Sequence, residues 1–391
     1  MPSNRFVFGS MLAATCVIVG CQDQTIVPAT APSTSRFAPS NQAALSQSPL
    51  QALPSRSVLS VPSSVVAPSR VFADHGGRII NPNDYVCTSG SPVTDYLYAE
   101  LGNTLATEPT LFFAMYNRFA DYIPTYEALY FQSTATPQYF GYNGEFTQLM
   151  LKTEKDIKRF WDIPNADIQL LAMHGTVLTD TARTARTYRL LGFPDAVASA
   201  YAAVDRAATL ASTTMHGGNF GFWTFNAFSF STPGHNPSDR IVMGDGILEA
   251  YSAIGFGDVA PQAIFAHEYA HQVQFENGYD QDLDPSVSAP EQTRYAELMA
   301  DAMSAYFLTH SRGLALNQKR VAEFLQVFFQ IGDCAFTDPG HHGTPNQRLK
   351  AATFGFDVAA QAQKQGHILT SAEFHALFVA EFPILIAPDA P

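Results

Sequence analysis

The strongest constraint on this 391-residue chain is the run His267-Glu268-Tyr269-Ala270-His271. On a helix, residues four apart share a face, so the two imidazoles can reach one metal ion, with Glu268 beside them. Neutral imidazoles bind Zn²⁺, and a neighbouring carboxylate can take a proton from an attacking water. The run therefore predicts a zinc hydrolase, with His267 and His271 as ligands and Glu268 as the general base.

The flanking residues predict that this motif lies on a helix from Val259 to Asn277. Asp258 is a candidate N-cap, Pro261 falls in the first turn, and Gly278 provides a stop. The competing interpretation is a half-exposed surface helix with two unrelated histidines.

A zinc hydrolase needs a third protein ligand and an open fourth position. Glu297 is the candidate, because it lies in a second predicted helix that begins with the capping-box pattern Ser288-Ala289-Pro290-Glu291 and ends near Gly313. Asp301, four residues later on the same face, is placed to accept the other ring N–H of a ligating histidine and to fix its tautomer. The competing interpretation of such a carboxylate pair is a solvated helix face.

Several blocks of this chain occur in the order found in a bacterial family of neutral zinc metallopeptidases: residues 267–274, 297–301, 331–333, 342–344 and 347–348. The chain resembles that family, and the gluzincin zinc peptidases more broadly, between Arg240 and Phe356. Ala270 stands where that family usually has glycine. The resemblance implies zinc bound by His267, His271 and Glu297, with Glu268 as general base.

The run His341-His342-Gly343-Thr344 precedes a predicted helix that begins at Pro345. Such a turn brings an imidazole, backbone N–H groups and the positive helix end together, and can donate to the oxyanion of a tetrahedral intermediate. The resemblance favours His342 for this role, and a purely structural turn is an equal alternative. Three other candidate donors are Tyr295, Tyr306 and Arg348.

The predicted fold class is α+β and helix-dominated, with a gluzincin-like catalytic core and a small antiparallel sheet before the metal-binding helix. Residues 221–230 and 240–243 are predicted strands, and 168–173 is a possible third. Either of the first two can offer an edge to an extended peptide, although a core hairpin is favoured for 221–230. Further helices are predicted at 96–105, 108–122, 152–160, 181–191, 195–212, 316–331, 345–365 and 371–382.

The N-terminus predicts export. Arg5 precedes an apolar run that ends at Ile18-Val19-Gly20-Cys21, which resembles a bacterial lipoprotein signal with Cys21 as the lipidated residue. Residues 21–70, rich in Ser, Pro, Ala and Gln, are predicted to be a flexible tether. We expect a lipid-anchored protein of the bacterial cell envelope, with the outer membrane favoured by Gln22. Cleavage elsewhere, giving a soluble secreted protein, is the alternative.

The remaining chain is predicted to comprise a mostly helical region of unknown role, 71–215, and a zinc metallopeptidase-like domain, 216–391. The chain carries a net charge of −13, and its first 70 residues contain four arginines and one aspartate, so residues 71–391 carry −16. Such acidity argues against nucleic acid as a partner. Cys87 and Cys334 are predicted to form a disulfide, with two buried thiols as the alternative.

Two functions from different classes follow from these patterns. The first is a zinc metalloendopeptidase that acts on polypeptides from its membrane anchor. The second is a non-catalytic lipoprotein, a binding or assembly module in which zinc only holds helices together. Glu268 favours the first, because a structural site has no use for a base and usually closes with a fourth protein ligand. A hydrolase of non-peptide amides would share the same residues.

Overall fold

A computed structural model describes residues 91–231, 239–283, 287–317, 320, 323–327, 332–333, 336, 340–365 and 367–389. The signal segment, the tether and the cysteines Cys21, Cys87 and Cys334 lie outside these residues. Across the described chain the fold is α+β and helix-dominated, as predicted. The helices are α1 Pro92–Thr107, α2 Pro109–Tyr116, α3 Tyr122–Phe131, α4 Thr147–Phe160, α5 Thr181–Leu190, α6 Asp195–Ala211, α7 Asp245–Ala253, α8 Ala260–Asn277, α9 Ala289–Thr309, α10 Pro345–Gln365 and α11 Ser371–Leu385.

Local sequence signals account for several of the helix ends. The capping box at Ser288 starts α9, and a second one at Thr370 starts α11. In α8, Pro261 occupies the first turn and Gly278 ends the helix in the left-handed conformation, with φ 74°. The predicted N-cap Asp258 is wrong, because Val259 occupies that position and Asp258 instead pairs with Arg320.

The three strands, β1 Gln169–Met173, β2 Ala227–Ser231 and β3 Asp239–Gly244, form one sheet in the order β1-β3-β2. Strand β3 pairs with β1 in parallel and with β2 in antiparallel fashion, so the sheet is mixed and the prediction of an antiparallel sheet is wrong in part. The predicted strand 221–230 forms only from Ala227, because Gly221–Trp223 is a 3₁₀ turn. Since β3 is the central strand, it offers no edge to a peptide.

The sheet is covered on both faces. One face packs against α3 through apolar side chains that include Phe228, Val242 and Leu129. The other face carries α8, which is tied to the strands by side chains: the Ser229 hydroxyl donates to the Glu268 carbonyl, and the Gln272 amide donates to the carbonyl of Arg240 at 3.2 Å. These bonds fix the height of α8 over the sheet.

Helix α8 is buried from Ala260 to Phe275, between the sheet, α4 and α9. The interpretation of this segment as a half-exposed surface helix is therefore wrong. Helix α9 packs in turn on α10, so closely that a Cβ at Gly355 would lie 2.0 Å from the Ala302 carbonyl oxygen.

One hydrophobic core runs from Val93 to Leu385 and includes residues on both sides of the predicted boundary at 215. That boundary stays a prediction. A search of the described residues for a helix with the length and apolar character needed to cross a bilayer finds none.

Candidate metal centre

Three predicted ligands meet in the interior, where α8 crosses α9. Nε2 of His267 lies 3.2 Å from Nε2 of His271 and 3.2 Å from Oε2 of Glu297, whose Oε1 lies 3.5 Å from Nε2 of His271. All three side chains are at most 1% exposed. Two imidazole nitrogens and a carboxylate, within 4.8 Å of one another, form a group that can hold a metal ion.

The outer nitrogen of His267 is held by a charged pair. Nδ1 of His267 lies 2.8 Å from Oδ1 of Asp301. Arg348 donates two hydrogen bonds to the Asp301 carboxylate, from Nε and Nη2, each 2.7 Å long. A carboxylate acceptor places the proton on Nδ1 of the neutral ring and leaves the Nε2 lone pair to face the centre.

The outer nitrogen of His271 is held by an uncharged partner that the sequence analysis missed. Nδ1 of His271 lies 3.1 Å from Oε1 of Gln274, one helical turn further along α8. The Gln274 amide nitrogen donates to the Ala296 carbonyl on α9 at 2.8 Å. Because its NH₂ is engaged there, the amide presents its oxygen to His271 and places that ring's proton on Nδ1 as well.

Glu297 carries its negative charge in a buried setting. Burial by itself raises the pKa of a carboxyl group, but the His342 charge and the close contacts with His267 and His271 outweigh burial and hold the pKa of Glu297 well below its usual range. An ionised carboxylate beside two inward-facing imidazole nitrogens suits a cation.

Glu268 follows His267 on α8 and is fully buried. Ser229, whose hydroxyl donates to the Glu268 carbonyl, is also buried, at 2% exposure. Its carboxylate does not belong to the group of three possible ligands. The motif thus supplies, in the interior, a second carboxylate next to the first histidine.

His342 lies close enough to Glu297 to dominate the charges that act on that carboxylate. Asp333 holds the turn: its Oδ1 lies 2.6 Å from Nδ1 of His341, and its Oδ2 accepts the backbone N–H of His342 at 2.7 Å. Burial lowers the pKa of His342, but Glu297 and Asp333 outweigh burial and raise it. The sequence analysis noted Asp333 within a family block without assigning it this role.

The alternative donors named from sequence are engaged elsewhere. The Tyr295 hydroxyl lies 3.1 Å from Nε2 of His375, and the Tyr306 hydroxyl accepts the backbone N–H of Leu369 at 2.8 Å. Arg348 is bound to Asp301, with its Nη2 also 3.5 Å from Oε2 of Glu297. The geometry therefore gives both tyrosines packing roles and gives Arg348 a role in holding Asp301.

When the chain is compared with models of known protein families, with curated proteins and with solved structures, none of the three comparisons finds a match.

Proposed function

We propose that this chain is a zinc metalloendopeptidase that hydrolyses peptide bonds. The observation that carries the proposal is the convergence of Nε2 of His267, Nε2 of His271 and the Glu297 carboxylate, with both Nδ1 atoms committed to other acceptors. The spacing of Glu268 beside this group, on the same helix, supports hydrolysis over metal storage.

Zinc suits this donor set. Two imidazole nitrogens and one carboxylate are the protein ligands of many catalytic zinc sites, in which the fourth position is left to water or substrate. Among the described residues the group has three members, which supports an open position. The resemblance of residues 240–356 to gluzincin zinc peptidases supports our proposal that the catalytic core is a gluzincin core.

Each residue then has a definite task. A bound zinc ion would polarise the scissile carbonyl and make water more acidic. Glu268 takes the proton of the attacking water and delivers it to the leaving amine. His342, held by Asp333, donates a hydrogen bond to the oxyanion that forms on the carbonyl. Asp301 and Gln274 keep the two ligand rings in one orientation.

The remaining parts of the proposal concern location. We propose lipid attachment at Cys21, a cell-envelope position with the outer membrane favoured, and polypeptides as substrates. The acidity of residues 71–391 supports a partner other than nucleic acid.

Burial favours a second candidate, a structural zinc site in a non-catalytic binding or assembly module. His267, His271 and Glu297 are at most 1% exposed, and Glu268 has no exposed surface. Structural metal sites are closed, whereas a peptidase must admit its substrate.

The two candidates are separated by comparing wild type with Glu268→Gln, using Glu276→Gln as the matched control. Glu276 lies on the same helix and is exposed. We expect all three proteins to bind about one zinc, and only wild type and Glu276→Gln to cleave casein or a mixed peptide library, since a catalytic base supplies at least about 10²-fold. Zinc binding without cleavage by wild type would favour the structural site. Absence of zinc from wild type would overturn both.

A further inference from the structure

A second buried histidine–aspartate pair lies at the carboxyl ends of two neighbouring parallel strands. Met173, the last residue of β1, is paired with Gly244, the last residue of β3, so His174 and Asp245 emerge side by side. Nδ1 of His174 lies 2.6 Å from Oδ2 of Asp245, and the residues are 7% and 1% exposed. The carboxyl ends of parallel strands are where α/β folds usually bind ligands.

Asp245 fixes the orientation of the His174 ring, with Nδ1 toward the carboxylate and Nε2 away from it. Oδ1 of Asp245 accepts the backbone N–H of Gly141 at 3.1 Å, so both carboxylate oxygens are engaged. The ring of Tyr139 stacks on His174 with centroids 3.9 Å apart and is itself 45% exposed. Among the described residues Nε2 of His174 has no hydrogen-bond partner, and with Nδ1 protonated toward Asp245 it presents a lone pair.

Two further polar atoms near this pair also lack a well-formed hydrogen bond within the described chain: Oε2 of Glu100 and the hydroxyl of Tyr142. They meet at Gly221, where an added Cβ would lie 2.6 Å from Oε2 of Glu100 and 3.7 Å from the Tyr142 hydroxyl. Gly221 in turn packs on the first turn of α7, since a Cβ at Gly246 would lie 2.2 Å from the Gly221 carbonyl oxygen. Glu100 is thus joined to Asp245 through two closely packed glycines.

The electrostatics of this cluster are those of a cation site. After burial, the charges that raise the pKa of Tyr142 are all negative and include Glu100, Asp245 and Glu249. Burial raises the pKa of Glu100 to about 7, against opposing backbone N–H groups of Gly221 and Phe222. A ligand that carries several N–H groups would supply hydrogen bonds to Oε2 of Glu100 and to the Tyr142 hydroxyl, which lack well-formed ones within the described chain.

We propose that His174, Glu100 and Tyr142 form a binding site for an ammonium cation, either a free primary amine or a lysine side chain. The site is distinct from the metal centre. Glu268, next to His267, accepts the Ser229 hydroxyl, and Ser229 is paired with Ile241, which precedes Asp245 by four residues, roughly 13 Å along the strand at about 3.3 Å per residue. A metal ion fits less well, because the only group of three close ligands in the described chain is the one around His267.

Titration calorimetry on the full chain at pH 8 tests this assignment with n-butylammonium, with butanol as the neutral control. The peptides acetyl-Gly-Lys-Gly-amide and acetyl-Gly-norleucine-Gly-amide form a second pair. We expect saturable binding of the two cations only. Tighter binding of the lysine peptide identifies a polypeptide side chain as the source, and tighter binding of butylammonium identifies a free amine.

Variants connect the binding to this cluster. Glu100→Gln is expected to weaken cation binding about tenfold and Tyr142→Phe about threefold, since tenfold corresponds to about 1.4 kcal/mol. Asp95→Asn, an exposed acid on the same helix as Glu100, is the matched control and should leave binding unchanged. Tyr142→Phe keeps the ring, so it tests the site even if the other variant misfolds.

Three results would overturn the proposal. The first is the absence of saturation by either cation, and the second is binding that neither variant weakens. The third is binding of Ca²⁺, Mg²⁺ or Zn²⁺ that Glu100→Gln abolishes while the amines fail to bind, which would assign the cluster to a metal.

Discussion

Two of the histidine–aspartate pairs in this molecule, His267–Asp301 and His174–Asp245, share a buried aspartate beside Nδ1 of the histidine but differ in what surrounds that aspartate. In the metal centre, Asp301 lies 2.8 Å from His267 and is neutralised by two bonds from Arg348. At the strand ends, Asp245 lies 2.6 Å from His174, and within the described part of the chain its one other hydrogen bond comes from the backbone N–H of Gly141.

The difference in counter-charge separates the two uses. With Asp301 paired to Arg348, His267 faces a second carboxylate, Glu297, in a group that can hold a metal ion. Among the described residues no arginine pairs with Asp245, and burial raises its pKa although the His174 hydrogen bond opposes this. An aspartate beside Nδ1 of a histidine therefore does not by itself indicate what the pair does. The presence or absence of an arginine that neutralises the aspartate is the more useful sign.

Arg348→Met tests the neutralised pair and should have the largest effect. It leaves Asp301 as an uncompensated buried charge, so the free energy of unfolding should fall by about 3–5 kcal/mol. Urea unfolding of the metal-free protein measures this. The double variant Arg348→Met/Asp301→Asn should recover part of the loss. A single variant as stable as wild type would show that Asp301 does not depend on Arg348 for its stability.

Gln274→Met tests the uncharged acceptor of the second ligand ring. Because the orientation and tautomer of His271 depend on this amide, zinc affinity should fall about 10- to 100-fold. Competition with a chromophoric chelator measures the affinity. Gln262→Met, a buried glutamine of the same helix that bonds Thr153 instead, is the control and should bind zinc as wild type does.

Asp245→Asn tests the pair that lacks an arginine. Since burial already disfavours the charge of Asp245, its loss should cost only about 0.5–1.5 kcal/mol of unfolding free energy, the range for a single hydrogen bond. Thermal unfolding, with Asp95→Asn for comparison, measures it. A loss as large as that of Arg348→Met would show that the two pairs carry equal structural weight.

The smallest expected effect is a pH dependence that comes from Glu100. Burial raises the pKa of Glu100 to about 7 from an ordinary value of 4.5, so the folded chain retains a proton that the unfolded chain releases. This contribution to stability is fully present below pH 4.5 and is lost as the pH rises through about 7. Relative to Glu100→Gln, wild type should lose on the order of 1 kcal/mol between pH 5 and 8, after allowance for solvent screening. A parallel pH profile for both proteins would contradict the assignment.

The features that were predicted correctly from the sequence are those set by residues only a few positions apart. The helical spacing of His267 and His271, the pair Glu297 and Asp301, and the capping box at Ser288 need only one or two turns of chain to specify them. Helix α10 was predicted with its observed bounds for the same reason.

What the sequence did not reveal depends on distant pairing. His174 and Asp245 are 71 residues apart and meet only because β1 joins β3 in parallel, a register that no local pattern encodes. The short helix α7, which directly follows β3, was also missed. Gln274 is different, since its spacing of three from His271 was visible, but the bond to Ala296 that turns its oxygen inward was not.

The complete burial of α8 has a kinetic consequence. With His267, His271 and Glu297 at most 1% exposed, a metal ion held there would enter and leave only when the packing around α8 and α9 opens locally. Chelators would then strip the ion at a rate set by the protein's own opening and independent of chelator concentration. The fraction of chains with bound metal would then depend on the metal present during folding, as well as on the metal concentration afterwards.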